Sequence, residues 1–133
     1  MINGPGNPQK ATTAAELERN KEAVRRIMDD YFTKGDNSFL ADIIDADYIQ
    51  HHPRGADGLG FFGSLVERVG GQIPNKIHAL IAQGDLVYAH MHYPGWNTAA
   101  VDIFRFNDAG KIIEHWDVLQ QIPAEMPHDN GAF

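Results

Sequence analysis

An aspartate stands in the middle of one short segment rich in β-branched and aromatic side chains, Asp102 in "TAAVDIFRFNDAG", and Glu114, His115 and Asp117 stand in the middle of the next, "KIIEHWDVLQQI". Extended backbone sends successive side chains to opposite faces. In the last segment this groups Ile113, His115, Asp117, Leu119 and Gln121 on one face, against Ile112, Glu114, Trp116 and Val118. In the segment before it, Asp102 shares a face with Phe104 and Phe106, opposite Val101, Ile103 and Arg105. A hairpin across "NDAGK" brings Asp102 opposite His115 or Trp116, within a residue or two, so Asp102, His115 and Asp117 can converge on one side of a sheet. In the neighbouring "LVYAHMHY", His90 and His92 share a face with Tyr88, and one of them is expected to reach the same site. An unpaired buried charge costs on the order of several kcal/mol, so such a cluster marks either a buried ion pair or a site.

The chemistry available is acid/base. A carboxyl group enclosed by apolar walls retains its proton to higher pH, and a second carboxylate beside it strengthens the effect. One of the two can then hold a proton while its neighbour accepts one, which suits proton abstraction next to a carbonyl and stabilisation of the enolate. Phe61, Phe62, Phe104 and Trp116 are candidate walls. Asp117, Asp102 and His115 are therefore the catalytic candidates. His51, His90, His92, Phe62, Phe104 and Trp116 are the candidates for substrate contact.

Several elements must position these groups. "TTAAELERNKEAVRRIMDDYFTKGD" places Leu17, Val24, Ile27, Met28, Tyr31 and Phe32 near one helical face, with Thr12 or Thr13 as cap and "KGD" as stop. A short amphipathic helix and an extended piece ending in "YIQHHP" follow, where Pro53 keeps His52 out of helical angles. "GADGLGFFGSLVERVGG" predicts a second main helix bounded by glycines. Four segments with strand character, separated by "GD", "PGWN" and "NDAG" turns, complete the chain. Helices followed by an antiparallel meander predict an α+β fold in which helices cover one face of a curved sheet. Residues 1–12, rich in Gly, Pro and Asn, are expected to be a flexible lead-in, and residues 13–133 a single domain.

Composition narrows the classes further. The net charge of -7 and eleven scattered Lys and Arg argue against nucleic acid and acidic membranes as partners. With no cysteine, disulfides, thiolate metal sites and a Cys nucleophile are excluded. No segment has the apolar length of a membrane span or a secretory signal, giving a cytoplasmic protein by default. Ser38 and Ser64 lack a glycine-framed nucleophile elbow.

"DYIQHHP", "GDLVYAHMHY" and "DIFRFNDAGKIIEHWDVLQQIP" resemble the SnoaL-like polyketide cyclase and aldol-condensation group of the nuclear transport factor 2-like superfamily, from about residue 14 to residue 123. The resemblance implies a cone-shaped fold, in which a strongly curved antiparallel sheet wraps around N-terminal helices and leaves a deep pocket. It also implies a homodimer formed through the sheet and catalysis without metal or cofactor on a small-molecule ligand. In the cyclases an aspartate near the chain end is the acid/base of an intramolecular aldol closure, and the match falls on Asp117. Their partner histidine on the preceding strand corresponds to Asp102 here. The commoner family form "YIQHNP" carries over to His51 and leaves His52 as a local substitution. The superfamily also holds steroid isomerases, dehydratases, dehalogenases and non-catalytic members, so fold alone does not fix the reaction. Two other readings stand beside an enzyme of lyase or isomerase type. One is a non-catalytic module for ligand binding or dimerisation; the other is a two-histidine, one-carboxylate metal site.

Overall fold

The computed structural model describes residues 6–133. Helix α1 (Ala14–Arg26) starts at a capping box: the Thr13 hydroxyl accepts from the Glu16 amide, and the Glu16 carboxylate accepts from the Thr13 amide. From Ile27 to Thr33 the helix continues in wider π-type turns, and Met28, Tyr31 and Phe32 are buried there. Helix α2 (Leu40–Ile43) leads directly into strand β1 (Ile44–Gln50).

The predicted second main helix is instead two single turns, α3 (Leu59–Phe62) and α4 (Leu65–Arg68). The break falls at Gly63 and Ser64, where the Ser64 hydroxyl bonds back to the Phe61 carbonyl and offers the backbone an alternative to helix. Each turn still buries one apolar side chain, Phe62 and Val66.

Strands β2 (Lys76–Gln83), β3 (Leu86–Tyr93), β4 (Thr98–Phe106) and β5 (Ile112–Gln121) form an antiparallel meander. The order across the sheet is β1-β5-β4-β3-β2. The predicted meander is joined at its edge by β1, which runs parallel to β5, so the sheet is mixed and open. Helix α1 packs on β2 and β3 and, with the turns after β1, covers the inner face of the sheet. The side-chain phase of β5 also departs from strict alternation. Arg105 pairs with Glu114 but Phe106 with Ile112, so Ile113 is an extra residue. This bulge turns Ile112 inward, to 2% exposure, on the same side as His115 rather than on the outer face.

Residues 6–12 are tied to the turn between β2 and β3, so this part of the lead-in is bound. The Asn7 amide donates to Asp85 Oδ1 at 2.7 Å and the Thr12 hydroxyl to the Gly84 carbonyl at 2.9 Å. Gly84 has φ +60°, and a Cβ there would collide with the Asn7 carbonyl and the Pro8 backbone. Residues 1–5 of the expected lead-in lie outside the described residues.

Three buried tyrosines link this core to alkaline pH. Burial pushes the Tyr48 hydroxyl up to about 12, raises Tyr31 by the same cause, and raises Tyr93 well above the ordinary value. Because the folded values are raised, their stabilisation is fully present below about pH 10, the unfolded value. It is lost as the unfolded chain ionises and the folded chain does not, at up to about 1.4 kcal/mol per pH unit for each tyrosine. Urea midpoints are expected to fall steeply as the pH rises from about 10 to about 11.5, and to fall less in Tyr48→Phe; an unchanged midpoint would contradict this.

Candidate active site

Between the inner face of the sheet and the turns after β1 lies a cavity of about 650 Å³. Its walls are mainly apolar, with Phe32, Phe62, Leu65, Ile73 and Phe104 among them. The polar groups collect where the register of the sheet puts them. Asp102 on β4 stands directly opposite Asp117 on β5, and Phe104 opposite His115. Directly opposite residues of adjacent strands point the same way, so both carboxylates and the imidazole meet on the cavity side. One ligand-capable atom from each of Asp102, His115 and Asp117 lies within 4.8 Å of the others.

Hydrogen bonds fix where the protons sit. The backbone N–H of His52 can only donate, and it points at the side-chain oxygen of Gln50 at 2.9 Å. The same oxygen lies 2.8 Å from His115 Nδ1, so that nitrogen must carry a hydrogen. The Gln50 amide nitrogen, in turn, donates to the Tyr48 hydroxyl. On the other side of the ring, Nε2 lies 2.9 Å from Asp102 Oδ1. With Nδ1 already protonated, this contact needs one further proton shared between Nε2 and the carboxylate, as imidazolium with carboxylate or imidazole with carboxylic acid. Tyr93 completes the array by donating to Asp102 Oδ2 at 2.5 Å. Burial first, and then the charge of Asp102, holds the Tyr93 hydroxyl well above the usual tyrosine range, so it stays a donor. Asp102 and His115 are 5% and 7% exposed, and no buried side-chain nitrogen or oxygen among the described residues lacks a partner.

The second couple is formed by Asp117 and His52. His52 Nδ1 lies 3.0 Å from one carboxylate oxygen of Asp117 and 2.8 Å from the other. Both residues line the cavity, and the other ring nitrogen of His52 has no hydrogen-bond partner among the described residues. An Nδ1–H given to a carboxylate leaves Nε2 with its lone pair, the arrangement of an oriented base. The site thus holds a proton-loaded pair, Asp102 with His115, beside a proton-accepting pair, Asp117 with His52.

Asp117, Asp102 and His115 meet here as the alternation predicts, and Phe62 and Phe104 line the cavity. Four expected contacts lie elsewhere. His51 stacks on Trp116 at 4.8 Å between ring centres on the outer face, and its Nε2 is 2.7 Å from Glu114. His90 and His92 also face outward, clustered with His78 and Phe133. The reason is phase. Ala89 is the residue opposite Asp102, so Ala89, Met91 and Tyr93 share the cavity side and the two histidines cannot. Likewise Tyr48 is buried and Ile49 is 47% exposed, which turns Gln50 and His52 inward and His51 outward. His52, Gln50 and Tyr93 are thus site residues that the sequence reading passed over. Counting phase from Asp102 across the β3–β4 hairpin and from Tyr48 along β1 is the signal that finds them. Arg105, opposite in phase to Asp102, sits in ion pairs with Asp85 and Glu114.

Asp102, His115 and Asp117 are also the donors a metal ion would use. They are already committed to neighbours: His115 Nε2 bonds Asp102, and both oxygens of Asp117 face His52. A cation that took His115 Nε2 as a ligand would have to break its contact with Asp102.

Comparison with known proteins agrees with this architecture. The model of the SnoaL-like domain family matches residues 24–115. Among solved structures, an NTF-2 like protein of unknown function from Burkholderia xenovorans LB400 superposes with a TM-score of 0.70 at 21% identity, over 86% of this chain and 91% of that one. The LEH-like epoxide hydrolase of M. tuberculosis gives 0.63 at 18% identity, over 79% and 85%. A SnoaL-like polyketide cyclase from Agrobacterium tumefaciens str. C58 gives 0.61 at 13% identity, over 77% and 91%. At these identities the structures share the fold. No curated protein matches the sequence.

Proposed function

This chain belongs to the SnoaL-like domain family, and on that premise we propose that it is an enzyme whose own side chains do acid/base chemistry on a small, mostly apolar carbonyl compound. The reaction class is proton abstraction next to the carbonyl, leading to aldol-type closure, isomerisation or dehydration. The observation that carries this reading is the pairing of a proton-loaded couple, Asp102 with His115, and a proton-accepting couple, Asp117 with His52, at one end of an apolar cavity. In the first step the α C–H bond breaks, its proton passes to the Asp117–His52 couple, and its electron pair moves into the carbonyl to give the enolate. The proton shared by Asp102 and His115 neutralises the developing oxyanion, with Tyr93 holding the carboxylate in place. Such pre-positioned donors act on charge that appears only in the transition state. Return of the abstracted proton to a different atom gives an isomer; attack of the enolate carbon on a second carbonyl gives a ring. A polyketide cyclase and an epoxide hydrolase among the structural neighbours support a small-molecule site in this fold.

The test is a panel of enolisable ketones and aldehydes incubated with the protein and followed by mass spectrometry and NMR. For a compound that turns over, His52→Asn is expected to lower kcat by roughly 10²-fold, the lower end of a general-base contribution. An unchanged kcat in that variant would remove His52 from the mechanism.

The active unit is, in this reading, a homodimer formed through the outer face of the sheet. Ile81, Tyr88, Ile103 and Trp116 are consecutive cross-strand partners there, and Ile81 and Tyr88 are 65% and 42% exposed. An apolar row of this kind suits burial against a second copy. Sedimentation equilibrium is expected to return twice the chain mass, and Tyr88→Glu to return the monomer; a wild-type monomer at high micromolar concentration would contradict it.

A further inference from the structure

Six of the eleven Lys and Arg side chains sit in ion pairs among the described residues. Arg54 and Arg68 do not, and both line the cavity. Arg68 is pre-oriented: its Nε donates to the Ser64 hydroxyl at 2.7 Å, and its guanidinium lies 4.9 Å over the Phe61 ring, leaving the terminal nitrogens free. Arg54 has no hydrogen bond through its side chain among the described residues, and both arginines are exposed, whereas Asp102 and His115 are buried. The cavity is therefore polarised along its depth, with carboxylates at the floor and two unpaired guanidiniums at the rim. In a chain of net charge -7, cations left without a carboxylate at a cavity mouth form a local positive site.

We propose that the substrate carries a carboxylate at the end remote from its reacting carbonyl, and that Arg54 and Arg68 bind this anion at the rim. The assignment rests on the floor being the place where the carbonyl reacts, and it adds the chemical class of the rest of the ligand. Two electrostatic terms act together. The guanidiniums attract the carboxylate, with planar donor pairs matched to its two oxygens. The charge of Asp117 at the floor repels it, so an amphipathic keto acid enters carbonyl first. The apolar walls between the two ends take the body of the molecule.

The probe pair is 6-acetyl-2-naphthoate and its methyl ester, which share ring system and ketone and differ in the negative charge. Titration followed by ligand fluorescence at low salt is expected to show the acid bound roughly tenfold tighter than the ester or better, the scale of charge-assisted hydrogen bonds. In the R54Q/R68Q double variant the acid is expected to weaken to the level of the ester, with the ester unchanged, and R54K/R68K is expected to recover part of the preference. Equal affinities in the wild type, no binding of the acid, or a preference that survives in R54Q/R68Q would overturn the assignment. Because the readout is binding, a protein that turns over neither probe still answers the question, and loss of turnover in floor variants is read separately.

Discussion

Asp117→Asn is expected to lower turnover of any substrate of this protein by on the order of 10²- to 10⁴-fold, with the fold and ligand affinity retained. The retained fold follows from the contacts. Asn can still accept the His52 Nδ1–H through its carbonyl oxygen, so the ring keeps its orientation in the cavity wall. What disappears is the negative charge that stabilises a protonated His52, and with it the proton-accepting capacity of the couple. Steady-state kinetics should show the loss in kcat with little change in KM, because the interaction is needed in the transition state more than in the bound complex. Activity within a factor of two of wild type would sink the assignment of Asp117.

At Asp102 two substitutions are expected to separate stability from chemistry. Asp102→Asn can keep both contacts of the array: its oxygen accepts from Tyr93, and its amide donates to Nε2 of a neutral His115. That amide N–H is not acidic and cannot be passed on, so activity falls while thermal stability stays close to wild type. Asp102→Ala removes the carboxylate that serves both neighbours, leaving the buried Tyr93 hydroxyl and His115 Nε2 without it while His115 Nδ1 keeps its bond to Gln50. The expected cost is about 2–5 kcal/mol, from two buried polar groups losing their bonds and one side-chain volume left empty. Urea denaturation of the two variants checks the contrast. Equal destabilisation by Asn and Ala would mean that the array does not hold as drawn.

The sequence makes the meander and its two polar strands legible because alternation and turn residues are local signals. Asp102, His115 and Asp117 share a face by counting alone, and their convergence needs only the β4–β5 hairpin. Two kinds of feature lie beyond that count. One is the irregularity at Ile113, which no propensity announces and which reverses the phase of Ile112. The other is the choice between faces on strands that carry histidines on one side and small or apolar residues on the other. His90 and His92 look like site residues by type, yet the cavity takes Tyr93, whose phase follows from Ala89 standing opposite Asp102. The parallel edge strand is the same problem at longer range. Nothing local sets Gln50 beside His115, and only that pairing makes His52 rather than His51 the neighbour of Asp117. The resemblance carried by "YIQH" points to His51, and in this chain the next residue occupies the cavity.

Solvent hydrogen exchange tests the central claim most directly, because it needs proton abstraction and not a completed reaction. A ketone shown to bind in the cavity is held with the protein in D₂O, and deuterium entry at its α-carbon is followed by ¹H NMR. The acid/base reading predicts exchange well above the buffer rate with wild-type protein and a return to that rate with Asp117→Asn. Exchange at the buffer rate with saturating wild-type protein, or undiminished exchange in the variant, would contradict it.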